Sequence, residues 1–212
     1  AYRNVRKMGL IAVSLDEGDR LAWVRLTSGE DQLIVATRQG MAIRFNETDA
    51  RVLGRTARGV RALNLEEDDI VVGMVPVMEN TTVLTVSENG QGRRTDPAEY
   101  RLQSRGGKGI KNYDTQKNGP VAGVLAVGEE DDVILISDDG IIIRIPVAEI
   151  STQSRYAGGV RVMRIGEGSR LVSLCRAPHE DEEEAAAESE APAEAETPAE
   201  ETADSTETPV EE

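Results

Sequence analysis

Aromatic residues make up only 3% of this 212-residue chain. Any core must therefore be aliphatic, built from Val, Ile, Leu, Ala and Met. There is one cysteine, Cys175, which excludes an intramolecular disulfide and a cysteine-rich zinc site. A small apolar role in the core is the reading for that residue. The only histidine is His179, too little for a histidine-based triad or a histidine metal cluster. No apolar run approaches the roughly 18 residues of a transmembrane helix. No basic-plus-apolar leader opens the chain, and its first residue is Ala1 rather than Met. A fragment of a longer cytoplasmic protein is the expectation. No Walker A motif occurs. The acidic quartets at 66–69 and 129–132 lack an EF-hand ligand series and read as solvated loops. No cofactor or metal is expected in this chain.

Positive charge is missing from one stretch altogether. Residues 179–212 hold 15 Asp+Glu and no Lys or Arg, whereas residues 1–178 hold 24 of each sign. The net charge of −15 thus belongs to the tail, and the body is neutral. The tail is Glu, Ala, Thr, Ser and Pro without an aromatic residue, a composition that predicts disorder. Removing it after Pro178 is expected to tighten binding of duplex nucleic acid by the body, most at low ionic strength; a tail that only confers solubility is the alternative.

What the body does have is a repeat of fifty residues. The segment at 33–45 (LIVATRQGMAIRF) recurs at 83–95 (VLTVSENGQGRRT) and at 133–145 (VILISDDGIIIRI) without a gap. Four positions are identical in all three copies: Gly40/Gly90/Gly140, Arg44/Arg94/Arg144, Arg55/Arg105/Arg155 and Gly59/Gly109/Gly159. Residues 1–20 continue the register as the remainder of a preceding repeat. The division is therefore 21–70, 71–120 and 121–178, with 179–212 as the acidic tail.

Each repeat reads as four strands, in the first copy about 21–27, 32–37, 41–46 and 59–65. The middle two form a hairpin whose turn is Gln39-Gly40, Asn89-Gly90 or Asp139-Gly140. Such dipeptides favour a type I′ turn with positive φ at both central residues. After the second hairpin, Asp96 is placed to cap a short turn opened by Pro97. Four strands at this period predict an all-β, propeller-like array: three complete units and one partial unit. Trp23, which aligns with Gly73 and Gly123, is read as packing on a blade face.

Charge within the repeat is segregated. Residues 51–61 carry Arg51, Arg55, Arg58 and Arg61 with no acid. Residues 101–117 carry Arg101, Arg105, Lys108, Lys111 and Lys117 against Asp114. Residues 155–164 carry Arg155, Arg161 and Arg164. All three clusters fall between the third and fourth strands, so they predict a basic band along one rim. Glycines beside the cations expose backbone N–H groups that can also meet phosphate. With few aromatics for base stacking, the partner that fits is the phosphate backbone of a bent duplex. The bland reading for Arg44, Arg94 and Arg144 is ion pairing between units. A protein-binding propeller with charged loops is the alternative function.

At 103–109 the sequence QSRGGKG resembles the gyrase A box, usually written QRRGGKG, of the C-terminal domain of DNA gyrase A subunits. The flanking EYRLQSRGGKGIKNY and the GRTARGVRAL segment resemble the same family. The resemblance implies a β-pinwheel of four-stranded blades that exchange strands. It implies wrapping of duplex DNA in support of ATP-dependent negative supercoiling, in an A2B2 assembly with gyrase B. ATP, Mg and the cleavage chemistry would belong to other parts of that assembly, and no membrane is involved. By match, Gln103, Ser104, Arg105, Gly106, Gly107, Lys108 and Gly109 carry the box. Ser104 stands where the usual box has Arg. The family's principal box lies in a first blade that this chain lacks, so the resemblance leaves open whether this copy is a principal or a secondary wrapping contact. The corresponding domain of topoisomerase IV is similar, and RGGKG favours gyrase over it.

Overall fold

The computed structural model describes residues 7–179. The acidic segment from Glu180 onward, and with it the expectation of disorder, lies outside the described residues. The strands are β1 (Gln32–Thr37), β2 (Met41–Asn46), β3 (Val71–Val77), β4 (Thr82–Ser87), β5 (Gln91–Thr95), β6 (Ile110–Lys111), β7 (Val121–Val127), β8 (Asp131–Ser137), β9 (Ile142–Pro146), β10 (Val160–Arg161) and β11 (Leu171–Pro178). The described α-helix is a single turn, Thr115–Asn118. Val, Ile and Leu dominate the long strands because a β-branched side chain packs well on a pleated, buried surface.

Three hairpins carry the fold: β1–β2, β4–β5 and β8–β9, each antiparallel. The turn is not type I′. Gly40, Gly90 and Gly140 have φ between +75° and +85°, but Gln39, Asn89 and Asp139 do not have positive φ. Gly40 N–H donates to the Thr37 carbonyl at 3.0 Å, and Gly90 repeats this bond to Ser87. The loop thus has three residues, a turn closed by one left-handed glycine, which needs positive φ only there. Asp96 caps its turn as the sequence predicts, accepting from the Ala98 N–H at 2.7 Å beside Pro97.

Strands are exchanged between repeats. The sheets run β3-β1-β2-β6, β10-β5-β4-β7 and β11-β8-β9. The first two hairpins each receive an inner strand and a short outer strand from the next repeat, and the third receives β11 as its inner strand. This corrects the expectation of three complete four-stranded units: there are two, and a three-stranded third. Residues 21–27 and 59–65 are not strands. The β1–β2 hairpin takes its inner and outer strands from β3 and β6, further along the chain, and neither segment pairs with it.

The inner strands β3, β7 and β11 pack against one another. A Cβ added to Gly73 would lie 2.5 Å from Val124 Cγ2, and one on Gly123 would strike Leu174 Cδ2. Glycine is what lets neighbouring sheets approach there. The core between sheets is aliphatic, with Ile34, Leu84, Val86, Val127 and Leu135 fully buried. Each such side chain stabilises by roughly 1.5–3 kcal/mol. Two tyrosines join it, Tyr100 and Tyr113. Trp23 borders a cavity of about 590 Å³ between the inner strands, opposite Met74, Val124 and Leu174. Cys175 is exposed rather than buried. It lies on β11, the last inner strand, where no further strand of the described chain covers it.

Candidate nucleic-acid interface

Topology decides where the cations lie. The inner strands converge, so β6 and β10, at the opposite ends of their sheets, are the outermost strands. Lys111 is on β6 and Arg161 on β10, and both are exposed. The loops that lead into these strands, 101–109 and 151–159, therefore run along the outer edge. That edge collects the second and third basic clusters.

The three invariant arginines of the hairpin are structural. Arg44 Nη1 donates to the Pro97 carbonyl at 2.6 Å and Nε to Gln32 Oε1 at 2.8 Å. Arg94, 5% exposed, donates Nε to the Ile150 carbonyl at 2.5 Å and pairs with Glu129. Arg144 Nε pairs with Asp132 Oδ2 at 2.7 Å. Each fastens its hairpin to a turn of the following repeat or to a carboxylate beside it. The reading of ion pairing between units therefore holds for Arg94, whose Glu129 belongs to the next repeat, whereas Arg144 pairs within its own hairpin. Arg38 adds a bidentate pair with Glu88 across neighbouring repeats, Nε–Oε1 2.7 Å and Nη2–Oε2 3.1 Å. That hydrogen bond raises the Arg38 pKa.

The other invariant arginine is largely committed to backbone. Arg55 Nη1 donates to the Ile11 carbonyl at 3.1 Å, Arg105 Nη1 to the Arg61 carbonyl at 3.1 Å, and Arg155 Nη1 to the Lys111 carbonyl. Arg105 Nε also donates to the Asp49 carbonyl at 2.8 Å. In the box itself, Gln103 N–H donates to the Arg44 carbonyl at 2.8 Å and Gly106 N–H to the Ala62 carbonyl at 2.6 Å. The Gly107 carbonyl accepts from Asn64 N–H at 2.9 Å. These bonds seat the box on the preceding repeat. Gly109 brings the chain against the Ala42 carbonyl, and Ser104 stays exposed.

The cations left for an anion are the neighbours of those ties. Arg51, Arg161 and Arg164 are exposed and have no side-chain partner among the described residues. Arg101 reaches only Gln103 Oε1 at 3.4 Å. Lys108 is 78% exposed and faces Glu66 at 3.4 Å, Lys111 faces Asp114 at 3.4 Å, and Arg58 faces Asp16 at 3.1 Å. Arg61 bonds Asn64 Oδ1 at 3.0 Å. Exposed pairs of this kind are worth little and exchange readily for another anion. The structure brings the 101–111 residues together on one edge.

The acidic quartets are less solvated than the sequence suggests. Asp69 is buried and accepts from the Gln39 and Ile70 N–H groups, both at 2.9 Å. Asp132 is nearly buried between Arg144 and His179, at 2.7 Å from each. No group of three or more candidate metal ligands occurs among the described residues. No helix there is long and apolar enough to cross a membrane.

One polar residue of this edge escapes the charge count. Arg93 is fully buried. It stands where the other copies have Ile43 and Ile143, and that break in an apolar column was the available signal. Desolvation lowers its pKa. Burial likewise raises those of Tyr100 and Tyr113.

A family model described as the DNA gyrase C-terminal domain, beta-propeller, matches residues 1–28, 31–78, 81–127 and 131–174. The DNA gyrase A protein of Halalkalibacterium halodurans is 56% identical over 64 residues, 30% of this chain and 8% of that protein. The DNA gyrase A protein of Haloquadratum walsbyi is 47% identical over 77 residues, 36% of this chain and 9% of that protein. These matches span less than a tenth of the relatives' length. Among solved structures, the C-terminal domain of DNA topoisomerase IV aligns with TM-score 0.77 at 25% identity, covering 89% of this chain and 60% of that one. The DNA gyrase A C-terminal domain aligns with TM-score 0.72 at 30% identity, covering 80% and 58%.

Proposed function

For a chain that belongs to the DNA gyrase C-terminal domain family, we propose the role of a duplex-binding and duplex-wrapping module of a gyrase A protein. Its own contribution is not chemical. It holds a bent duplex by phosphate contacts along the outer edge, in support of negative supercoiling by an assembly with gyrase B in the cytoplasm. ATP and Mg would act elsewhere in that assembly. The observation that carries this is the separation of arginines by task. Arg44, Arg94, Arg105 and Arg155 hold backbone. Arg51, Lys108, Arg161 and Arg164 stay exposed beside them. Phosphate contacts position a duplex without reading its sequence.

The test is a gel shift with unrelated duplexes over a range of salt. Binding should ignore sequence, and log K should fall linearly with log[salt] at about −0.9 per phosphate neutralised. Absence of salt-dependent binding would leave a protein-binding propeller as the reading. The corresponding module of topoisomerase IV is the second reading, favoured by the higher structural likeness. The RGGKG of 105–109 weighs for gyrase.

A further inference from the structure

We propose that Arg93 is a positioning residue for the rim loop 154–157, standing in for the glycine pair that holds the corresponding loop of the preceding repeat. The proposal rests on reading that loop as part of the duplex-binding edge.

In the preceding repeat the Arg105 side chain ties the loop as Arg155 does in the next, and the bond to the Ala62 carbonyl comes from backbone. Gly106 has φ +83° and its N–H donates to the Ala62 carbonyl at 2.6 Å. Beneath lies Ile43, fully buried, with its Cδ1 3.7 Å from where a Cβ on Gly107 would sit. Fifty residues on, the glycines are replaced by Tyr156 and Ala157, and the acceptor Ala62 is replaced by Asn112. A tyrosine pays a steric penalty for the left-handed conformation, and Tyr156 does not have positive φ. Its N–H turns to Ser154 Oγ at 3.4 Å instead. The Asn112 carbonyl would lose its donor, and a buried unpaired carbonyl is costly.

Arg93 supplies the donor. Its Nη2 bonds the Asn112 carbonyl. The same guanidinium donates Nε to the Ser154 carbonyl at 3.1 Å and Nη2 to the Arg155 carbonyl at 2.6 Å. The Tyr113 ring lies 4.9 Å from its Cζ. One side chain thus spans the strand below and the loop above, as the glycine N–H does in the other copy. The correlation is complete where both partners are described: Ile under Gly-Gly, Arg under Tyr-Ala. From the backbone so fixed, Arg155 reaches the Lys111 carbonyl, and the chain continues to Arg161 and Arg164. Arg93 therefore sets where the third basic cluster stands without itself reaching solvent.

The experiment compares the parent 212-residue chain, Arg93→Ile, and Arg93→Ile combined with Tyr156→Gly and Ala157→Gly. Amide exchange across 154–157 and duplex affinity are measured for each. Arg93→Ile should speed exchange in the loop on the order of tenfold, as loss of one or two buried hydrogen bonds implies, and should weaken duplex binding. The glycine pair should restore both. Where Arg93→Ile alone does not fold, recovery of folding by the glycine pair supports the proposal and no recovery overturns it. Unchanged exchange in Arg93→Ile, or a glycine pair that restores nothing, also overturns it. A parent chain that binds no duplex defeats the functional reading alone, because loop exchange still decides the part of Arg93.

Discussion

Arg105 donates from Nη1 to the backbone carbonyl of Arg61 at 3.1 Å, across two repeats. Arg155 makes the same bond to Lys111, and Arg55 to Ile11. The separation is 44 residues each time. The arginine in the middle of the box motif is thus a tie between repeats, and its lysine neighbour is the solvent-facing cation. One motif therefore holds both a tie between repeats and an exposed cation.

Arg105→Ala and Lys108→Ala should accordingly fail in different ways. Arg105→Ala removes charge-assisted bonds to the Arg61 and Asp49 carbonyls and should lower stability by about 2 kcal/mol. Lys108, 78% exposed, should change stability by less than about 0.5 kcal/mol when truncated. It should weaken every duplex alike and flatten the salt dependence by about 0.9. Urea titration and binding at several salt concentrations separate the two. A Lys108→Ala chain with unaltered salt slope removes Lys108 from the interface.

Gly40→Ala and Gly140→Ala offer an internal control for the hairpin glycine. Both positions have φ +85°, so both variants should lose roughly 1–2 kcal/mol to left-handed strain. Only at Gly40 would the new Cβ meet a carbonyl, that of Tyr113 at 2.5 Å; around Gly140 nothing lies within 4 Å. Gly40→Ala should therefore be the more destabilising by at least about 1 kcal/mol, measured by urea unfolding of each variant. Equal losses would mean that the strand of the next repeat yields freely.

The hairpins, their glycines and the aliphatic core were legible because they obey local rules: period-two alternation and a glycine where the turn needs one. The type I′ assignment failed because dipeptide preference does not count loop residues, and the third one, Arg38 or Glu88, completes the turn. The strands at 21–27 and 59–65 failed for a different reason. A strand is defined by its partner, and exchange between repeats puts that partner far outside the local sequence, as with Gln32 and Val77 or Met41 and Lys111. The basic clusters were visible in one dimension. Which of their arginines faces carbonyls and which faces water depends on the strand of the previous repeat below each loop. Arg93 was invisible to a charge count for the same reason, and only its place in the column of Ile43 and Ile143 marks it.

Asp132 should tie stability to acid pH. Burial works against its charge, but hydrogen bonds from His179 and Arg144 outweigh it and hold the carboxyl below its ordinary 3.8. A carboxylate depressed in the folded chain stabilises above the unfolded value and loses that contribution as pH falls through the folded one. Asp132→Asn should be clearly less stable than the parent near neutral pH. The gap should close as pH drops below 3.8, because the protonated acid and the amide make similar contacts. Urea midpoints at paired pH values measure this. A gap that stays constant down to low pH assigns the loss to packing and not to charge.

The acidic segment should weaken duplex binding by the edge. The body is neutral as a whole, yet Arg51, Lys108, Arg161 and Arg164 are exposed. A tethered segment with 15 negative charges and no positive one would compete for those cations at high effective concentration. The cut belongs after His179 and not after Pro178, because His179 Nδ1 lies 2.7 Å from Asp132 and its loss would disturb the third sheet. The shortened chain should bind duplex more tightly than the full chain, and by more at about 0.01 M salt, where screening extends over about 30 Å, than at about 0.15 M, where it extends over about 8 Å. Affinities of both chains at the two concentrations decide it. Equal affinities at the lower salt would deny the segment any part in duplex binding and leave it a role in solubility alone.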